Sequence, residues 1–345
     1  MDRTRLTARL RGNAILSAVL AGALCVMMLA PALGGATSTA VVIRTIRVGP
    51  TPTQVAADGT HVWVTDVAAN GLGHGVTEIN AATGRVVRTI SVGLASVAIA
   101  SDGVHVWVSS LAGFILELNA STGRVVRSIF VGFGAFDVAS DGRRVWVTHS
   151  TFGLSGASAA HTVTEIDAFT GRVLRTIDVG WNPGGISSDG THVWVTQLGS
   201  ESHPGKTVTE INAATGRVVR TIGVSLLPDA ISADATHVWV ASSIGYVNEL
   251  NASTGHLVRS ILVGPGLLDI SSDRGNVWVV SPVFDFVFRI DAATGRLIQF
   301  VVVGSSPEGV ASDGTHVWVT NSGVTGNGDT VSEIRIAPSA VRGKA

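Results

Sequence analysis

Short apolar runs, separated by tight polar turns, recur along almost the whole chain. The clearest of them is Val-Trp-Val, which occurs seven times, centred on Trp63, Trp107, Trp146, Trp194, Trp239, Trp278 and Trp318. Successive tryptophans are 44, 39, 48, 45, 39 and 40 residues apart. Self-similarity at that period marks an array of small identical units, and it outranks any local reading of the chain. The runs are apolar at both parities rather than alternating with polar residues, so each predicted strand has neighbours on both faces. In His-Val-Trp-Val-Thr the valines face one way and the histidine, tryptophan and threonine the other.

One unit predicts four short strands. In the last, Gly309 to Ala311 precedes the turn Ser312-Asp313-Gly314, and His316 to Thr320 follows it. Asp-Gly between apolar runs is a strong hairpin signal. The third strand is represented by Val76 to Asn80, and the fourth by Arg85 to Ile90 after the turn Ala81 to Gly84. Six units have this Thr-Gly turn, at Gly84, Gly123, Gly171, Gly216, Gly255 and Gly295, and the seventh stops after Ile336 without a fourth strand. The missing piece stands at the other end, where Val41 to Gly49 (VVIRTIRVG) matches Arg85 to Gly93 (RVVRTISVG). The expectation is an all-β fold: a seven-bladed β-propeller of four-stranded antiparallel blades, its ring closed by the N-terminal strand completing the last blade.

The first forty residues differ in kind. Arg3, Arg5, Arg9 and Arg11 precede an apolar run from Ala14 to Ala30, and Ala30-Pro31-Ala32 follows. This is the pattern of a secretory signal peptide. The expected division is a signal peptide over 1–32, a short linker over 33–40, the propeller over 41–337 and a flexible C-terminal tail over 338–345. An extracytoplasmic location follows, secreted, periplasmic or at the cell surface. Cys25, the sole cysteine, lies inside the apolar run behind Leu24, which argues against lipid attachment. The chain past residue 40 then has no thiol, and so no disulfide framework.

Charge narrows the choice of partners. Residues 1–40 hold four arginines and one aspartate, leaving 20 basic and 24 acidic residues beyond them, a net charge of −4. That excludes the basic footprint of a nucleic-acid binder. No membrane contact is expected apart from the signal peptide, and a monomer is expected.

The columns of the repeat read mostly as scaffold. The seven tryptophans are expected between blades. His61, His105, His192, His237 and His316 open the second strand, with Arg144 and Asn276 in the other two units, and read as turn-capping groups rather than metal ligands. Glu78, Glu117, Glu165, Glu210, Glu249 and Glu333 are expected to meet fourth-strand arginines in exposed pairs on the outer rim, of little energetic weight.

From Val41 to Ala337 the chain resembles the YVTN family of seven-bladed propellers (YncE-like proteins), through VWVTN…DTVSEI, EINAATGRVVRTISVG and VGSSPEGVASDG. That resemblance implies an extracytoplasmic propeller and is poorly informative about activity. A more distant likeness to streptogramin (virginiamycin B) lyases implies a metal with a glutamate and a histidine at one end of the ring. The residues after the seven Val-Trp-Val strands are Asp66, Ser110, His149, Gln197, Ser242, Ser281 and Asn321, without a Glu-x-His at that offset. Glu201-Ser202-His203 has the spacing but falls later in a loop, so the roles are not carried over. A tryptophan does not follow the Thr-Gly turns, which speaks against a quinone cofactor. Gly199 to Thr207 looks like a phosphate-binding loop, but has five residues between its glycines and leads into a strand.

Two regions remain as candidate sites, both at one end of the ring. The long connections Thr65–Gly75, Thr148–Thr162, Thr196–Thr207 and Thr320–Thr330 carry His74, His149, His161, Glu201, His203 and Lys206, and binding residues favour such loops. Where the chain enters each innermost strand, Asp229 and Glu308 share one column and Asp137, Asp269 and Gln54 the next, with Trp181 just upstream in its unit. The expected ligand-binding set is Gln54, Asp66, His74, Asp137, Trp181, Gln197, Asp229, Asp269 and Glu308. No cofactor is expected; a divalent cation on the carboxylates is the one candidate. The leading expectation is a non-catalytic scaffold for a protein, glycan or small ligand. The alternative is a metal-assisted lyase or hydrolase using His149, His161, Glu201 or His203.

Overall fold

The computed structural model describes residues 39–67, 74–93, 96–150, 160–200, 203–273, 275–323 and 328–336. The expected signal peptide, linker and tail lie outside them, except for the linker's last two residues. Twenty-eight strands, β1 (Ala40–Arg47) to β28 (Thr330–Ile336), form seven four-stranded antiparallel sheets. Six of these use consecutive strands, from β2–β5 (Pro52–Ser91) to β22–β25 (Asp269–Val302). The seventh runs β26-β27-β28-β1, so the N-terminal strand supplies the outer edge of the last blade. Blades are numbered here from β2.

The closing pair reproduces its counterparts in detail. Ala40 pairs with Ile336, Val42 with Ile334, Arg44 with Glu333 and Arg47 with Thr330, with a bulge between Val42 and Arg44. In blade 1, Ile79 pairs with Val86 and Glu78 with Arg88, with the same irregularity. A bulge re-aims the side chains beside it, and here it brings the arginine to the glutamate.

The seven tryptophans are fully buried, each packed with the strands of the following blade. Trp239 of blade 5, for example, lies among Val277, Val279 and Ile290 of blade 6. Such packing explains the apolar character of both strand faces: each sheet has another sheet on either side.

The glutamate column departs from the expectation of exposed pairs. Its members meet the outer-strand arginines, as Arg88 Nε meets Glu78 at 2.7 Å and Arg127 Nε meets Glu117 at 2.6 Å, but all six carboxylates are buried. They lie on the tryptophan side of the strand, opposite Trp63, Trp107 and their equivalents, under the neighbouring blade. Burial raises the pKa of Glu78, Glu117, Glu165, Glu249 and Glu333, and the adjacent arginine opposes it. The histidines stand between this carboxylate and the turn aspartate: His192 Nδ1 is 3.2 Å from Asp189 and its Nε2 is 3.8 Å from Glu210. The capping itself falls to the aspartate, whose carboxylate accepts the backbone N–H of the histidine at 2.6 to 2.8 Å in blades 1, 2, 4, 5 and 7.

The same arginines join blade to blade. Arg88, Arg175 and Arg220 each donate from Nη1 to the carbonyl of the threonine in the next blade's Thr-Gly turn, at Thr122, Thr215 and Thr254. The glycine after that threonine has φ of 66° to 70° and lets the guanidinium lie against it; a Cβ on Gly171 would stand 2.6 Å from Arg127 Nη1. Gly84 receives Arg44 of the closing strand in the same way, which carries the contact across the seam.

Blade 6 breaks the column at all three places, with Asn276, Arg289 and Gln299 instead of His, Glu and Arg. Arg289 Nε donates to Asn276 Oδ1 at 2.7 Å, and its guanidinium carbon lies 5.4 Å from the centre of the Trp278 ring. Blade 7 has no covalent turn between its outer strands for an arginine to reach. Gln299 instead donates to the Ala40 carbonyl at 2.6 Å and accepts the Ala40 N–H at 2.8 Å, pinning the start of β1.

One expected loop is a ribbon. The sequence predicts a connection over Thr196–Thr207, yet β15 (His192–Gly199) and β16 (Pro204–Asn212) continue pairing to Gly199 opposite Pro204. Alternate partners such as Gln197 opposite Thr207 extend the ladder, and Gly199 at φ 71° permits the close approach at its tip.

Trp194→Ala is expected to cost about 3–5 kcal/mol, the range for removing a large aromatic from a packed core. A melting temperature lower by several degrees would agree with this, and an unchanged melting curve would contradict the inter-blade role.

Candidate functional site

In every blade the second strand ends, the third begins and the fourth leaves for the next blade at the same end of the ring. Chemistry at this face depends on how the junctions are held. Six of the seven junctions open with the Val-Gly that ends an outer strand, and the one into blade 5 with Val224-Ser225. In the six whose residues are all described, the chain crosses towards the channel and enters the next inner strand through a residue of positive φ. That residue is Gly134 and Gly266 in two junctions, but Thr51, Asn182, Leu227 and Ser306 in four others, at φ of 46° to 55° and each followed by proline. A non-glycine residue keeps that conformation only where its surroundings fix it. Here the N–H of Asn182 donates to Ala160 of the preceding blade at 2.9 Å, and its carbonyl accepts from Leu198 of its own blade at 2.9 Å. Leu227 is held likewise by Gly205 and Ser243.

The residues after Val-Trp-Val serve the same junctions. Gln197 donates to the Val179 carbonyl at 3.1 Å and to Thr209 at 3.0 Å, and accepts from Thr207. His149 is buried, with Nε2 2.8 Å from Thr164 Oγ1 and Nδ1 3.3 Å from the Phe133 carbonyl. Burial lowers its pKa, opposed by the Phe133 carbonyl. Asn321 donates to Thr330 and Ser332. Asp66 is the exception in kind. It is 3 % exposed, packs where a Cβ on Gly49 would stand, accepts Thr77 Oγ1–H at 2.5 Å, and has no hydrogen-bond partner at Oδ1 among the described residues. Burial pushes its pKa up to about 7, against the lowering effect of Thr77.

Two of the inner-strand acids also join blades. Asp137 accepts the N–H of Val138 at 2.9 Å and that of Ile186, in the next blade, at 3.0 Å. Asp269 does the same with Ile270 and Val310, both at 2.9 Å. Asp229 accepts from Ser243 at 3.4 Å and Glu308 from Ser322 at 3.0 Å, and both are half-buried. Gln54 is half-buried on β2, and His74 opens β4 opposite Val67. His203 is exposed at the tip of the β15–β16 ribbon, and Glu201 lies outside the described residues. Among the described residues no three His, Cys, Asp or Glu side chains gather as a metal-holding group.

What the structure does gather on this face is apolar surface. Trp181 is 63 % exposed while the other seven tryptophans are buried, and its ring meets His161 edge-on at 4.8 Å. Trp181 follows the Val-Gly of its junction; at the same position Phe133 is 78 % exposed and Leu226 is 47 % exposed. Phe133 continues into Phe130 and Phe114, at ring separations of 6.0 and 5.2 Å. Nearer the channel, Val97, Phe136 and Leu198 form a small apolar cluster of their own, with Leu198 filling the space a side chain on Gly184 would need. Sequence alone does not single out Phe133 and Leu226, although aligning the second residue after the valine that ends each outer strand (Val131, Val179, Val224) brings them into one column with Trp181.

The face is also acidic. Among the described residues its carboxylates are Asp66, Asp137, Asp178, Asp229, Asp269, Asp285, Glu308 and Asp329, against two cations, Arg47 and Lys206. Arg47 is already paired with Asp329 at 2.6 Å.

No protein-family model matches the chain, and no curated protein matches it. Among solved structures 1627 chains match. One is from Kuenenia stuttgartiensis hydrazine synthase, at 17 % identity and a TM-score of 0.68, covering 83 % of this chain and 96 % of that one. At that identity the likeness shows the fold alone.

The raised pKa of Asp66 sets a direction for pH dependence. Its folded pKa lies above the ordinary carboxylate value, so the folded protein holds the extra proton between about pH 4 and 7. Stability from this group is therefore complete below pH 4 and falls as pH rises to 7. Asp66→Asn is expected to leave the melting temperature unchanged at pH 4 and to raise it by several degrees at pH 8. Equal melting of both proteins at every pH would show that Asp66 is ionised without cost.

Proposed function

We propose that the protein is an exported, non-catalytic ring scaffold that binds a ligand on its loop-bearing face. The observation that carries this reading is the exposure of Trp181, Phe133 and Leu226 at equivalent junctions, in a chain that buries its seven repeated tryptophans completely. Large apolar side chains left exposed at equivalent positions of one face favour an interaction surface over a solvated one. The fourth-strand arginines, the buried glutamates and the junction residues Gln197 and His149 hold the described frame together beneath this face. Export rests on the basic start and apolar run of residues 3–30, and a non-catalytic role accords with the YVTN-type repeats.

The reading is tested with immobilised protein, using peptide and glycan arrays and lysate as sources of ligand. Ligands held by the parent are expected to be lost when residues 148–162 and 196–207 are replaced by the short connection Ser242–Tyr246. They are expected to be retained by Phe169→Ser, a substitution of an exposed residue on the opposite face. Loss with Phe169→Ser and retention after the loop exchange would place binding on the other face.

A further inference from the structure

We infer that the loop-bearing face recognises a cationic, amphipathic peptide segment, its basic side chains directed to the channel mouth and its apolar side chains to the surrounding junctions. This deepens the scaffold reading above and rests on it. Topology makes the face concentric. The inner strands border the channel, and Asp229, Glu308, Asp137 and Asp269 all lie within their first three residues. Around them run the junctions with Phe133, Trp181 and Leu226. Outermost are the ends of fourth strands, where Phe130 is 57 % and Leu262 62 % exposed.

Each ring selects one property. Leaving aside the buried Asp66, seven acidic side chains stand against two cations, one of them already paired with Asp329, and this balance attracts a basic group; Asp137 and Asp269 among them accept backbone N–H groups of the following blade. The aromatic and aliphatic residues supply anchors of the type that dominate peptide interfaces, and Trp181 and Phe133 present faces on which a lysine or arginine stem can lie. A second copy docking face to face would set one acidic centre against another, and an anionic lipid surface would meet the same repulsion. A nucleic acid is disfavoured for the same reason. A neutral glycan would use the aromatic rings but make no use of the acidic charge.

Three peptides of equal length test this against the full chain by fluorescence titration: alternating leucine–lysine, leucine–glutamate and serine–lysine. Trp181 is the reporter, since acrylamide reaches an exposed indole and not the seven buried ones. The leucine–lysine peptide is expected to bind and to shield Trp181 from quenching, at least tenfold more tightly than either control. Asp229→Asn/Glu308→Gln, which keeps a hydrogen-bonding atom towards Ser243 and Ser322, is expected to weaken binding about tenfold and to flatten its salt dependence. Phe133→Ser/Trp181→Ser, changed at exposed positions, is expected to weaken it as much without altering the melting temperature; it is read from a label on the peptide. Equal binding of leucine–glutamate, binding indifferent to both double variants, or no binding of leucine–lysine would overturn the inference. If the loop exchange still abolishes capture of another ligand in that last case, the scaffold reading stands and only the peptide chemistry falls.

Discussion

The pairing of β1 with β28 is the constraint on which the other contacts rest. Every blade lies between two neighbours; the next sheet around the ring buries its tryptophan and, in all blades but the sixth, its glutamate, and the outer-strand arginine of those six blades reaches across to that sheet's turn. Blade 7 can present an outer edge only because residues 40–47, from the far end of the chain, complete it. Without that strand Glu333 loses Arg44, Gly84 loses the guanidinium lying against it, and Gln299 loses both bonds to Ala40. The edge of β28, paired with β1 in the closed ring, would also be left open, which β proteins avoid.

The departures from the repeat follow from where that closure sits. An outer-strand arginine is useful only if the next blade offers a turn carbonyl and a glycine. Six blades have such a turn and blade 7 does not, because β28 and β1 are not covalently joined there. Blade 6 accordingly carries Gln299, whose amide can donate to and accept from the free backbone of Ala40. With the arginine gone, a buried glutamate opposite it would have been left without its counter-charge, at the cost of an unpaired buried ion. Arg289 takes the glutamate's place and meets Asn276 and the Trp278 face.

The architecture was legible because it depends on period, turn chemistry and the strand-by-strand likeness of residues 41–49 to 85–93. Those signals survive without any knowledge of neighbours. The burial of Glu78 and its equivalents was not legible, since a glutamate beside an arginine on adjacent strands reads the same whether exposed or covered by another blade. Nor was the ribbon at Gly199, where polar residues prolong a ladder that usually ends in a loop. On the candidate face the acids could be placed in columns from sequence alone. Their partners could not, because Asp137 and Asp269 bond to amides of the following blade. Phe133 and Leu226 are illegible for a different reason: an apolar residue in a short junction carries no sign of whether it is covered.

Closure is tested most directly by removing residues 40–47 and following thermal unfolding together with hydrodynamic radius. The expected result is a melting temperature lowered by ten degrees or more and an expanded particle, both restored when a peptide of sequence AVVIRTIR is added. A truncated protein as compact and heat-resistant as the full chain would contradict a ring sealed by its own N-terminal strand.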